Sequence, residues 1–128
     1  MKNKVLFFSI DRLGDYLIRS NVIHSISKYY KSSDIICSEK NYKLINRQLF
    51  FNKVYLFDTT NKNKNKISFI LSFFFRKYDA LISFDGKNIS KVLLFIIRAN
   101  FKHIFLYKKI GFFNNIKVTL YCIFLKLI

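Results

Sequence analysis

Proline and tryptophan are absent from this 128-residue chain, and glycine occurs only three times, at Gly14, Gly86 and Gly111. That scarcity excludes two nucleotide-binding devices. A dinucleotide fingerprint needs several glycines in one turn so that the backbone can approach a pyrophosphate, and the turn DRLGD holds one. No GxxxxGK followed by Ser or Thr is present either. The two cysteines, Cys37 and Cys122, lie far apart with no CxxC or Cys/His spacing, and read as buried thiols in a reducing compartment. Neither His24 nor His103 has a second ligand at a metal-binding spacing, so no metal site is expected. No secretory signal is visible, and the longest run without a charge, Ile67–Phe75, is far short of the roughly 20 residues a spanning helix needs. The cytoplasm is the expected compartment. Acidic residues are also few: seven Asp and Glu against 23 Lys and Arg give a net charge of +16. Such a charge favours polyanionic partners: nucleic acid, an anionic membrane, or phosphorylated and acidic-sugar substrates.

Apolar residues make up 52% of the chain, enough to build one core and to exclude disorder. The abundant Phe, Tyr, Lys, Asn and Ile look like a coding bias toward A and T, so a single Lys or Phe carries little functional weight. The stretch Val5–Asp15, VLFFSIDRLGD, reads as a buried strand, a tight turn and a helix start. Gly14 is expected where a Cβ would obstruct the turn. Asp15 falls at or beside the helix N-cap, where a carboxylate either caps free N–H groups or does chemistry.

A helix over 16–30 follows, with Ile18, Val22, Ile26 and Tyr29 on its expected inner face, a stripe widened by Ile23 and Tyr30. Next come a strand at 34–38, a helix from Glu39 to about Arg47 capped by Ser38, and a strand at 53–57. The TTNKNKNK patch at 59–66 reads as a solvated loop. The helix expected over 67–78 is apolar nearly all round. It is either buried or a Phe-rich face for an anionic inner membrane, flanked by Lys62, Lys64, Lys66, Arg76 and Lys77. A strand at 79–84, a helix capped by Asn88, a strand at 101–107 and a last helix from Ile116 complete the pattern. Alternating strands and helices without hairpin signals predict an α/β domain with a parallel sheet, strand order 3-2-1-4-5. That order brings Asp11–Asp15 near Asp85–Lys87, at the switch point where ligands bind in such sheets.

The segments VLFFSIDRLGDYLIRSNVIHSISKYY, DIICSEKNYKLI, NKVYLFD and KYDALISFDG, in that order, resemble the N-terminal domain of bacterial heptosyltransferases and related family 9 glycosyltransferases. The resemblance implies a Rossmann-like domain, residues 1–128, forming the acceptor-side half of a GT-B enzyme whose two domains face across a cleft. It implies inverting transfer of a sugar from a nucleotide-sugar donor, such as ADP-heptose, to a lipopolysaccharide-core or similar glycan, or to a lipid-linked acceptor. It implies no metal or other cofactor. Asp15 matches the family's catalytic base, which takes the proton from the attacking acceptor hydroxyl. The donor domain has no counterpart here. A separate donor-binding half is therefore expected, activity of this chain by itself is not implied, and the apolar end over 120–128 suggests a domain that is incomplete at its C-terminus.

The remaining candidates come from position. Asp11 and Asp85 end the first and fourth strands, as turn formers or as groups lining an acceptor cleft. Arg12, Gly14 and Lys87 lie on the same rim, where the two cations suit an acidic sugar or phosphate. The rival function is a non-catalytic basic α/β module that binds a membrane surface or a partner protein. Nucleic-acid binding ranks lower, because Lys and Arg are scattered over loops and helices rather than gathered in one stripe.

Overall fold

The computed structural model describes residues 2–59 and 63–104. They form strand β1 (Lys2–Ser9), helix α1 (Leu13–Ser27), β2 (Tyr30–Ser38), α2 (Tyr42–Ile45), β3 (Lys53–Phe57), α3 (Asn63–Ser72), β4 (Lys77–Ser83), α4 (Asn88–Ile96) and β5 (Arg98–Ile104). All five strands are parallel, in the order β3-β2-β1-β4-β5, as expected from the alternation of elements. The expected helix from Ile116, the expected end of the fifth strand and Cys122 lie outside the described residues.

The central strand β1 explains the order. Val5, Leu6, Phe7 and Phe8 are all fully buried, so this strand needs cover on both faces and a neighbour on both edges. One face packs Val5 and Phe7 with Ile35, Cys37, Ala80 and Ile82 beneath Tyr16 and Ile23 of α1 and Ile45 of α2. The other packs Leu6, Phe8, Ile36 and Leu81 beneath Phe73 of the turn after α3 and Leu93 and Leu94 of α4. Cys37 is a free, buried thiol, and burial pushes its pKa up to about 12, which leaves it unreactive at neutral pH. At the N-terminal end of the sheet, buried Asp34 accepts a hydrogen bond from Tyr78 Oη at 2.9 Å and pairs with Lys4 Nζ at 3.6 Å.

Several local expectations are corrected. The inner face of α1 is Tyr16, Ile23 and Ser27, so the expected stripe is displaced. Of its residues Ile23 is buried and Ile26 and Tyr30 pack against the core, whereas Val22 and Tyr29 are exposed and Ile18 is 81% exposed. Apolar residues lie all round this helix, so periodicity could not choose a face; the ring of Tyr16 and its hydroxyl bond to Gln48 did. α2 is a single turn of four residues preceded by Asn41, not a longer helix capped by Ser38. Lys87, not Asn88, precedes α4. α3 starts at Asn63, inside the expected loop, and its apolar residues divide: Phe69 and Ile70 pack inward, while Ile67 and Leu71 face solvent.

The reassigned face of α1 gives a direct check. Ile23→Ala should lower the unfolding free energy by about 2–5 kcal/mol, whereas Ile18→Ala should change it by no more than about 0.5 kcal/mol. Urea denaturation of the two variants measures both.

Candidate functional site

β1 and β4 are neighbours, while α1 and α4 leave their ends on opposite faces of the sheet. The C-terminal ends of these two strands therefore flank the switch point of the sheet. Beyond Ser9 and Ser83 the ladder stops, and side chains take over the backbone groups left behind.

Asp85 serves the β1–β4 side. Its Oδ2 accepts from the Ile10 backbone N–H at 2.7 Å and from Ser90 Oγ at 2.9 Å. Its Oδ1 accepts from the Lys87 N–H at 2.9 Å and from Ser83 Oγ at 3.2 Å. Gly86 follows at φ 61°, the left-handed conformation that glycine adopts without strain, and sends the chain into α4. Both oxygens of Asp85 are thus occupied by the chain's own donors.

Asp11 serves the β1–β2 side and is buried. Its Oδ1 accepts from Ser9 Oγ at 2.9 Å, and its Oδ2 is paired with the Arg19 guanidinium. Its backbone carbonyl accepts from Ser38 Oγ at 2.7 Å. Asn41 closes the network: Nδ2 donates to the Ser9 carbonyl at 3.0 Å, and Oδ1 accepts from the Ser38 N–H at 3.1 Å. Burial pushes the Asp11 pKa above its ordinary value. The Ser9 hydrogen bond and the Arg19 charge oppose that rise, and the charges of Asp85 and Asp15 add to it.

Asp15 differs from both. It is the third residue of α1, past the cap position, which Arg12 fills without a side-chain cap bond. Its side chain is exposed, and it makes no hydrogen bond or ion pair among the described residues. The capping reading of Asp15 therefore gives way: its carboxylate stands free at the rim, one helical turn before Arg19. Gly14 is corrected too. It has a regular helical backbone, and a Cβ built on it meets nothing within 4 Å. Neither the turn nor the chain's own packing requires glycine there. Arg12 and Lys87 are exposed on the same rim.

The structure thus brings all the sequence-derived candidates, Asp11, Arg12, Gly14, Asp15, Asp85 and Lys87, to one edge of the sheet. Sequence reasoning missed Arg19, Ser38 and Asn41, which hold that edge in shape. Only Arg19 left a signal, four residues after Asp15 and so on the same side of the helix. Among the described residues no cluster of His, Cys, Asp and Glu could hold a metal ion.

No protein-family model matches this sequence, and no curated protein matches it. A solved structure does: the chain is similar to a glycosyl transferase family 9 protein from Veillonella parvula, with a TM-score of 0.68 at 12% identity. The match covers 85% of this chain and 37% of that one, so this chain spans about a third of the length of the protein it matches. A likeness at that identity establishes a shared fold.

Two checks follow from the division of roles at this edge. Asp11→Ala, which leaves Arg19 without its buried partner, should lower stability by about 3–5 kcal/mol, while Asp15→Asn should change it by under about 0.5 kcal/mol, both by chemical denaturation. Because the folded pKa of Asp11 lies above its unfolded value of about 3.9, this group favours the fold most at low pH. Its contribution falls as pH rises from the unfolded value through the folded one. The unfolding free energy of the native chain minus that of Asp11→Asn should therefore decrease across that window.

Proposed function

We propose that this chain is the acceptor-side, Rossmann-like half of an inverting glycosyltransferase resembling the heptosyltransferases, with Asp15 as general base. The observation that supports the reading most is the contrast among the rim carboxylates. Asp11 and Asp85 are consumed by structural hydrogen bonds, and Asp15 is left free at the switch point of the sheet. The fold shared with a family 9 glycosyl transferase agrees with it.

In this reading an acceptor hydroxyl approaches the start of α1. Asp15 accepts its proton as the oxygen attacks the anomeric carbon of a nucleotide-bound sugar. The C–O bond to the diphosphate breaks in the same displacement, so the anomeric configuration inverts. The open space beside Gly14 lets the sugar come close to the helix backbone. Arg12 and Lys87 supply cations for an acidic acceptor such as a lipopolysaccharide-core sugar. Asp11 and Asp85 position this rim rather than touch the acceptor. The donor, ADP-heptose or a similar nucleotide-sugar, is bound by a second half that these residues do not provide, and no metal or other cofactor takes part.

The test is a transfer assay with nucleotide-heptose donor and core-oligosaccharide acceptor, run with the full chain together with its donor-binding half. Asp15→Asn should reduce kcat by at least about a hundredfold with an unchanged thermal melt. Near-normal turnover in that folded variant removes Asp15 from the role. Gly14→Val should raise KM for the acceptor more than it lowers kcat. A chain that binds no acceptor and supports no transfer points instead to the non-catalytic basic module.

A further inference from the structure

The acidic residues of this molecule are sorted by pole. In a parallel sheet every strand-to-helix turn lies at one edge and every helix-to-strand turn at the other. Five of the seven acidic residues, Asp11, Asp15, Glu39, Asp58 and Asp85, follow a strand and stand at the C-terminal edge with the candidate site. The other two are engaged. Asp34 is buried against Tyr78 and Lys4, and Asp79 Oδ2 accepts from the backbone N–H groups of Asn3 and Lys4 at 2.8 Å each.

The N-terminal edge is cationic. Lys53, Lys77 and Arg98 are the first residues of β3, β4 and β5, all exposed, and none is ion-paired among the described residues. Lys77 and Arg98 stand directly opposite each other in the ladder, a like-charge juxtaposition that costs stability.

The three helix-to-strand connections at this edge that precede β2, β3 and β4 each carry a large apolar side chain in solvent. Tyr29, between α1 and β2, is 74% exposed; Leu49, between α2 and β3, is 99% exposed; Phe75, between α3 and β4, is 93% exposed. Each lies within four residues of an exposed cation that opens or enters the next strand: Lys31, Lys53 and Lys77 respectively. Scattered single apolar residues on a surface need no explanation, but one at each of three successive turns on the same pole, ringed by unpaired cations, is a pattern.

From this we infer that the N-terminal edge of the sheet docks on an anionic lipid surface, with Tyr29, Leu49 and Phe75 entering the headgroup region and Lys53, Lys77 and Arg98 meeting lipid phosphates. A lipid surface fits better than a polynucleotide, because nothing in a duplex backbone rewards a fully exposed Leu or Phe. No described helix is long and apolar enough to cross a membrane. The inference does not rest on the transferase reading. It does carry a consequence for it: β1 is eight residues long, which holds the candidate site roughly 25 Å above the lipid, at about 3.3 Å per residue. A lipid-linked acceptor would then present a hydroxyl several sugars away from its anchor.

Co-sedimentation of the full chain with vesicles tests this. Mixed phosphatidylglycerol–phosphatidylcholine vesicles should capture the protein, pure phosphatidylcholine vesicles should not, and capture should weaken as salt rises. The triple variant Tyr29→Ser, Leu49→Ser, Phe75→Ser should keep its circular dichroism and melt, since all three side chains are exposed, and partition at least about tenfold less. Lys53→Glu, Lys77→Glu, Arg98→Glu should lose capture as well. No capture by anionic vesicles, or a serine variant that partitions like the native chain, overturns the inference. Duplex DNA that binds native and serine chains equally, and displaces both from vesicles, assigns the edge to nucleic acid and overturns it too.

Discussion

The structure depends on how the central strand ends. β1 is paired with β2 as far as Ser9 and with β4 as far as Phe8, and there the ladder ends. The Ile10 N–H, the Ser9 carbonyl and the Asp11 carbonyl are left near the core with no ladder to join, and Ile10 itself is buried. A buried backbone group without a partner costs about 1–3 kcal/mol, so three of them could undo much of a small domain's stability. Asp85 takes the first, Asn41 the second and Ser38 the third. The same requirement sets the chemistry of the rim. Carboxylates that close a strand end have their lone pairs occupied; one that lies a turn further on, at Asp15, does not.

Much of the fold was legible because β1 is so strongly apolar. A run of Val, Leu, Phe and Phe has no face to show to water, and only a central parallel strand satisfies that. The order β3-β2-β1-β4-β5 then follows from connection rules. What escaped the sequence depended on contacts between distant residues. The inner face of α1 is chosen by Tyr16 reaching Gln48 and Arg19 reaching Asp11, pairings that no local period encodes. The extent of α2 is limited because Asn41 turns inward to the end of β1 instead of capping a longer helix. The candidate residues were found by position at strand ends, but their roles were not. Asp11, Asp15 and Asp85 look alike in sequence, and only burial and hydrogen bonding separate a strut from a free carboxylate. Gly14 was singled out for a reason the structure removes: it occupies ordinary helix, with open space beside it.

The sorting of charge between the two edges has a partial explanation within the fold. Every helix of a parallel sheet starts at the C-terminal edge and ends at the N-terminal one. Helix dipoles therefore favour acids at the first edge and cations at the second, by about 0.3–1 kcal/mol for each residue in a terminal turn. That accounts for Asp15 in the first turn of α1. It reaches poorly to Lys53, Lys77 and Arg98, which are strand residues beyond the helix ends, and it offers nothing for setting Lys77 against Arg98.

Nor does a dipole act on an uncharged side chain. Leu49 and Phe75 gain nothing from helix ends, contribute nothing to either core, and leave apolar surface in water. An A- and T-rich coding bias can supply Phe and Leu in quantity, but it has no means of setting them, with Tyr29, at successive turns of one pole. Composition explains how many such residues there are, and helix dipoles explain the sign of some of the charges. The coincidence of apolar tips and unpaired cations at the edge away from the free carboxylate is what remains after both, and it is the pattern from which docking at that edge is inferred.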